Sequence, residues 1–342
     1  MRIGILGAGN ISDTHARAAR AIPGVEVVAV YGQNPGKTTA LADAHGARAY
    51  DSLERFLDHR PMDIVAIGTP SALHAQEGIA AAERGLHVLV EKPIDVTTER
   101  ADALIAAAAR AGVKLGVFFQ DRLKPDVVKL KELIDRGTLG TPVLASGHVK
   151  WYRAPAYYGE SRWRGRRALD GGGALINQAI HTLDLLLHLW GPIVSVDARA
   201  ATRLHRIEVE DTLVATMAFA SGALGIFEGS TAVYPGYPRR LELTGSNGTA
   251  VIAHDSLVAL DLATGAGNLA HLVTKADDAS AQNAASPTVS DATPHRRVLE
   301  DFIGAIREDR IPACDGREGR RSVAVVEAIY QSAQDGRTVT IE

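Results

Sequence analysis

Short, continuously apolar runs alternate with amphipathic stretches over the first third of the chain. Ile3–Leu6, Val25–Val30, Asp63–Ile67, His87–Val90 and Leu115–Phe119 lack regular polar alternation. They read as strands of a parallel sheet covered on both faces. Between them, Ile11–Ile22, Lys37–His45, Ala72–Arg84 and Glu99–Ala111 carry helical periodicity. This order predicts right-handed strand–helix–strand units and a doubly wound α/β domain over residues 1–120.

Near residue 120 the rhythm changes. A helix is predicted at Val127–Arg136, followed by strands at Val143–Trp151, Val194–Leu204, Asp211–Phe219, Ala223–Thr231, Arg240–Thr244 and Thr249–Ile252. Several alternate polar and apolar residues, as an antiparallel sheet with unlike faces requires. A strong helix, Leu175–Trp190, interrupts them, and two more follow at Arg296–Glu308 and Arg320–Ala333. Ala276–Thr293, rich in Ala, Ser, Asp and Thr, is expected to be a mobile loop. Residues 121–342 are therefore expected to form an α+β domain with a large, mostly antiparallel open sheet.

A length of 342 residues agrees with two domains, each large enough to bury a core. A net charge of −3 gives no reason to expect a nucleic-acid or membrane partner. Cys314 is the single cysteine, so no intramolecular disulfide forms and a reducing compartment fits. The opening Met1–Leu6 run turns into Gly7-Ala8-Gly9 before a secretory apolar stretch develops, and no run is long enough to span a bilayer. A cytoplasmic location is expected.

Three constellations carry chemistry. Gly7-Ala8-Gly9-Asn10-Ile11-Ser12 lies between the first strand and the first helix. The first glycine permits the tight turn, the second lets backbone approach a pyrophosphate, and the helix N-terminus supplies N–H groups and a positive dipole end. No carboxylate follows the second strand, where Tyr31-Gly32-Gln33-Asn34-Pro35-Gly36-Lys37 stands. Gln33 and Lys37 are the candidates there, and NAD against NADP stays open.

Glu91-Lys92-Pro93 ends an apolar strand, so Lys92 is expected in the crevice where a nicotinamide and its substrate meet. An ammonium there hydrogen-bonds a substrate hydroxyl and exchanges its proton. Gln120 and Arg122, just past the last apolar run, join the cofactor and substrate candidates respectively.

The third is the helix after Asp170-Gly171-Gly172-Gly173. At 100° per residue, Asn177, His181, Asp184 and His188 fall on one stripe. Asp184 is expected to orient His181 and leave its other nitrogen for a substrate hydroxyl. A metal held by His181, Asp184 and His188 is disfavoured, because three ligands spread over two turns splay too widely; no metal is expected.

Together, Gly-Ala-Gly at 7–9, Thr69-Pro70-Ser71-Ala72-Leu73-His74, Glu91-Lys92-Pro93 and the Asn177…His181-Thr182-Leu183-Asp184 helix resemble the Gfo/Idh/MocA oxidoreductase family, through Asp301–Ile306. The resemblance implies a Rossmann domain, an α+β domain whose open sheet mediates a homodimer or homotetramer, and NAD(P)-dependent chemistry on sugars or polyols. It implies Lys92 as the proton-transfer lysine and His181 as the acid/base or substrate-binding histidine. Glu91, Thr69, Pro70 and His74 fall on the cofactor side, as do Gly7, Gly9, Asn10 and Ile11. Trp163-Arg164 resembles a pair that reaches toward the cofactor. Many members carry aspartate where this chain has Asn177, which cannot take a proton at neutral pH.

Trp151, Arg153, Tyr157, Trp163 and Arg164 concentrate aromatics and arginines in a chain only 5% aromatic. Aromatic faces suit pyranose C–H faces, and arginines clamp hydroxyls, carboxylates or phosphates. Trp151, Arg153 and Tyr157 are substrate candidates beside Lys92, Arg122, Asn177 and His181, and an anionic sugar such as a uronate is one candidate class. A dehydrogenase or reductase acting on a sugar or polyol is the expected function. A glycoside-cleaving enzyme that oxidises its sugar transiently, and a non-catalytic sugar or cofactor sensor, are the alternatives.

Overall fold

The structure, a computed structural model, describes residues 1–263, 270–273 and 291–341. The expected loop Ala276–Thr293 lies outside them up to residue 290. The chain divides into two units. The first comprises Met1–Gln120 and returns with Thr288–Val323; the second comprises Asp121–Pro287 and Ala324–Glu342. A single cut after residue 120 therefore does not describe the division. The returning helix Thr293–Arg307 belongs to the first unit because its apolar side packs under that unit's last strand, where Phe302 lies against Gly116.

Along the first unit run β1 (Arg2–Leu6), α1 (Asn10–Arg20), β2 (Glu26–Tyr31), α2 (Pro35–His45), β3 (Arg48–Tyr50), α3 (Leu53–Leu57), β4 (Ile64–Ile67), α4 (His74–Ala82), β5 (His87–Glu91), α5 (Thr98–Ala111) and β6 (Leu115–Phe118). All neighbouring strand pairs are parallel, in the order β3-β2-β1-β4-β5-β6. This is the doubly wound Rossmann arrangement, with its switch point between β1 and β4. The strands are apolar throughout because both faces are covered: Ile3, Ile5, Ile64, Ile67 and Val90 are fully buried. Each such side chain contributes about 1.5–3 kcal/mol relative to exposure. The helices start and stop on local signals: Asn34, Ser52 and Thr97 cap α2, α3 and α5, and left-handed Gly46 and Gly112 end α2 and α5.

The second unit continues with α6 (Pro125–Asp135), β7 (Pro142–Lys150), short helices α7 (Pro155–Gly159) and α8 (Arg167–Asp170), and α9 (Ile180–Trp190). Then come β8 (Ile193–Ala201), β9 (Thr212–Phe219), β10 (Leu224–Ser230), β11 (Arg240–Gly245), β12 (Gly248–Ala253) and β13 (Ser256–Leu262), with β14 (Val339–Thr340) near the end. They form an eight-stranded sheet in the order β13-β12-β11-β7-β10-β9-β8-β14, in which only β7 and β10 pair in parallel. Alternation separates its faces. Leu213, Ala215, Met217 and Phe219 of β9 are buried, while Val214 on the opposite face is half-exposed. On the buried side Leu186 of α9 approaches β7 at Gly147, where a Cβ would come within 3.2 Å of its Cδ1.

The predicted helix Leu175–Trp190 is not uniform. Ala174–Ala179 forms a π turn, and α9 begins only at Ile180. Asn177 lies inside this wider turn, where the 100° step assumed for the stripe does not hold. Glu210 caps its start, accepting the N–H groups of Gly173 and Leu175, both at 2.9 Å. Gly173 is obligatory there, since a Cβ would fall 1.8 Å from the Glu210 carbonyl oxygen.

Candidate active site

The first unit presents its chemistry at the carboxyl ends of β1, β4 and β5. Gly7 adopts φ +118°, and a Cβ on it would meet Ser12 Oγ at 2.6 Å and the Gly68 carbonyl at 2.7 Å. Only glycine fits that turn. A Cβ on Gly9, at the N-cap of α1, would meet no protein atom within 4 Å. No side chain caps α1. An open approach to an uncapped helix N-terminus fits a diphosphate, and Asn10 and Ile11 are its first residues.

Beyond β2, the Gly32 position is tight: a Cβ would lie 2.8 Å from the Ala8 Cβ and 3.0 Å from Thr38 Oγ1. Gln33 lines a cavity of about 440 Å³ with Tyr31, Thr39, Arg48, Tyr50 and Arg55. Lys37 is exposed on α2, and its backbone N–H is used by the Asn34 cap at 3.0 Å.

The segment after β4 is fixed by buried polar contacts. Thr69 donates its hydroxyl to Glu77, whose carboxyl burial pushes up to about 7. His74 is buried just beyond Pro70, with Nδ1 2.8 Å from the Pro93 carbonyl and Nε2 3.0 Å from that of Thr69. Burial lowers its pKa, against the pull of those carbonyls, Asp95 and Glu91. His74 thus stands between the two strand-end segments, and its neutral ring donates its one N–H to either carbonyl.

Glu91 differs most from a cofactor-facing residue. It is buried, with Oε1 2.9 Å from His15 Nε2 and 3.5 Å from His295 Nε2, while Oε2 accepts the Lys92 backbone N–H at 3.1 Å. Burial would raise its pKa, yet the two histidines hold it well below the usual carboxylate range. Lys92 follows at the end of β5, half-buried. Gln120 opens the turn Gln120–Leu123.

In the second unit the electrostatics depart from expectation. Asp184, expected to orient His181, is bound by an arginine. Arg122 Nε and Nη2 grip its two oxygens, both at 2.7 Å, and both side chains are almost completely buried. A planar guanidinium matches a carboxylate bidentately, so this fork claims the acid. Arg122, expected to meet substrate, is turned onto Asp184.

Asp121 is the acid beside His181, with Oδ2 3.6 Å from Nδ1. Burial would raise its pKa, but Arg239, Lys124 and His181 hold it well below the ordinary value. Lys124 reaches Asp121 at 2.7 Å and Asp255 at 2.8 Å, and Arg239 bridges the same two acids.

Asn177 Nδ2 donates to buried Asp170 at 2.6 Å, and its Oδ1 accepts from Gln178 Nε2 at 2.7 Å and the Tyr157 hydroxyl at 3.4 Å. Asp170 also accepts the Gly165 N–H at 2.8 Å. The structure brings Tyr157, Arg153, Trp151, Arg164 and Trp163 together. The Arg153 guanidinium lies 4.9 Å from the Trp151 ring centre and 5.7 Å from that of Tyr157, and Arg164 lies 4.3 Å from Tyr157 and 5.3 Å from Trp163.

Nothing in the sequence marks Asp121, Asp170 and Glu210, or His15 and His295, as site residues. The first three carry no periodic signal, and His295 is far from Glu91 in sequence.

The family models agree with this architecture. Residues 1–119 match the oxidoreductase family, NAD-binding Rossmann fold, and residues 127–251 match the GFO/IDH/MocA C-terminal domain. The WlbA dehydrogenase of Bordetella pertussis, solved with NADH and UDP-GlcNAcA, is 32% identical, with TM-score 0.87, covering 100% of this chain and 99% of that one. Inositol 2-dehydrogenase of Rhizobium meliloti (strain 1021) is 28% identical over 100% of this chain and 99% of its own length. D-glucoside 3-dehydrogenase of Escherichia coli (strain K12) is 27% identical over 100% and 97%. The chain belongs to the GFO/IDH/MocA family of oxidoreductases, with an N-terminal NAD-binding Rossmann domain.

Proposed function

We propose that the protein transfers a hydride between a nicotinamide coenzyme, NAD or NADP, and a hydroxyl-bearing carbon of a sugar, polyol or sugar derivative. The observation that carries this reading is the pairing, in one unit, of an open uncapped helix N-terminus at Gly9 with an amine at the carboxyl end of β5. When bound, the coenzyme supplies the hydride acceptor or donor at its nicotinamide ring. Gly7, Gly9, Asn10 and Ile11 would hold its diphosphate, and Gln33 its adenosine end. Lys92 takes the hydroxyl proton on oxidation and returns it on reduction. His181 shares that load, with Asn177 as a hydrogen-bonding rather than proton-accepting partner.

A carboxylated sugar is the substrate class favoured by Arg164, whose half-buried guanidinium lies over the Tyr157 and Trp163 rings. The WlbA complex with UDP-GlcNAcA supports that class by similarity. The protein is read as a homo-oligomer that covers the outer face of the second sheet, where Leu144, Val214, Leu224 and Ile226 stand half-exposed. No helix among the described residues is long and apolar enough to cross a membrane; a cytoplasmic location remains part of this reading.

The test is a panel of myo-inositol, methyl β-D-glucopyranoside, glucuronate and UDP-glucuronate with NAD and NADP, followed by nicotinamide absorbance. Coenzyme reduction with at least one sugar is expected. Absence of both coenzyme binding and turnover overturns the reading.

A further inference from the structure

Glu91 is a buried charged group to which hydride and proton transfer assign no task. A side chain at the carboxyl end of a parallel strand has the ligand crevice beside it. Glu91 turns into the core instead, onto His15 of α1 and His295 of the returning helix Thr293–Arg307. His15 stacks on Phe118 at 4.3 Å and 11°, and the His295 ring lies 5.8 Å from His15 and 5.5 Å from Phe118. Neither imidazole leaves the carboxylate without unpacking that aromatic group.

The ligand-type atoms of His15, Glu91 and His295 lie within 4.8 Å of one another, which raises a cation site as the rival explanation. The imidazole nitrogens turned away from the carboxylate do not fit that explanation. A metal-bound imidazole gives its remaining N–H to an acceptor, but Nδ1 of His15 and of His295 has no hydrogen-bond partner among the described residues. The 2.9 Å His15–Glu91 separation is that of a hydrogen bond.

The remaining oxygen of Glu91 accepts the backbone N–H of Lys92, while His74 Nδ1 stands 2.8 Å from the Pro93 carbonyl two peptide groups on. Asp95 accepts the N–H groups of Ala75 and Val96, so the segment after β5 is gripped at several points. We propose that Glu91 is a positioning residue: anchored by His15 and His295, it fixes the Lys92 backbone and hence where that amine is presented. It links the helix that opens the nucleotide site to the residue assigned the proton. The value of this link for catalysis rests on the role given to Lys92; the link itself does not.

Amide hydrogen exchange, resolved at Lys92 by NMR, tests it on the full chain without needing a substrate. Glu91→Ala removes the acceptor, and exchange at Lys92 should accelerate at least about tenfold while amides of β1 stay unchanged. Glu91→Leu is the variant if alanine does not fold. It fills the same space and has no acceptor for the Lys92 N–H, so exchange should again rise at least about tenfold. With whichever panel sugar the wild type oxidises, kcat should fall at least about tenfold while the NADH Kd stays within about twofold. Wild-type exchange at Lys92 in the folded variants overturns the proposal, as does loss of NADH affinity in parallel with kcat. A wild type that turns over no sugar counts against the proposed function, and the exchange result still decides the role of Glu91.

Discussion

Asn177→Asp places a carboxylate into a site built for an amide. Asn177 Nδ2 is 2.6 Å from Asp170 Oδ1, and Asp170 is 1% exposed. The substitution turns that hydrogen bond into an encounter between two acids. At about 3 Å and an effective dielectric near 20, two full charges repel by about 5 kcal/mol. The pair avoids this by retaining a proton, as closely spaced carboxyls do. The folded state then binds a proton that the unfolded state has released, so its stability is intact below the unfolded aspartate range and falls as pH rises through neutrality. Urea unfolding of wild type and variant between pH 4 and pH 8.5 measures this. The variant should approach the wild type at the acid end and lose about 2–4 kcal/mol relative to it at the alkaline end, since side-chain movement relieves part of the repulsion. Equal stability at every pH would refute the reasoning, because it would mean that Asp170 and residue 177 are not held against each other.

Glu77 provides a second pH test. Its carboxyl is raised from 4.5 to about 7 by burial, so the native state holds the extra proton and stability falls as pH rises from about 4.5 through 7, by at most about 3 kcal/mol. Glu77→Gln keeps an acceptor for Thr69 and should raise Tm above wild type at pH 8 but not at pH 4.5; an equal gain at both would contradict the shift. The two glycines of the opening turn should separate folding from binding. Gly7→Ala, with φ +118° and contacts at 2.6 and 2.7 Å, should destabilise by about 2 kcal/mol or more. Gly9→Ala, with open space around its Cβ, should melt like wild type and bind NADH at least about tenfold more weakly, read by thermal melts and fluorescence titration.

Hydrophobic patterning exposed most of this fold because burial on both faces leaves apolar runs such as Ile64–Ile67 uninterrupted. β3 was invisible for the opposite reason: it is three residues long, and Arg48 and Ala49 are exposed at the sheet edge. β13 was missed where alternation is incomplete, with only Leu257 and Leu260 buried. The glycine turn was legible because the backbone geometry at Gly7 admits only glycine. The arginine on Asp184 was not. Helical spacing set Asp184 beside His181, but Arg122, which grips that acid, and Asp121, which stands beside the imidazole, lie in a short turn outside any periodic pattern. Regular 100° steps do not hold at Asn177 either, and nothing local marks the π turn until Gly173 is seen against Glu210. Polar networks assembled from distant segments, such as Glu91 with His15 and His295, are tertiary facts that no window on the chain contains.

Coenzyme binding and proton transfer fall to different residues, and Lys92→Met separates the two. NADH affinity from fluorescence titration and turnover of the sugar oxidised by the wild type should be measured on the same preparation. The account predicts a Kd within about twofold of wild type and a kcat reduced by about a hundredfold or more, the usual worth of a positioned acid–base group. Turnover close to wild type with Lys92 replaced would contradict it.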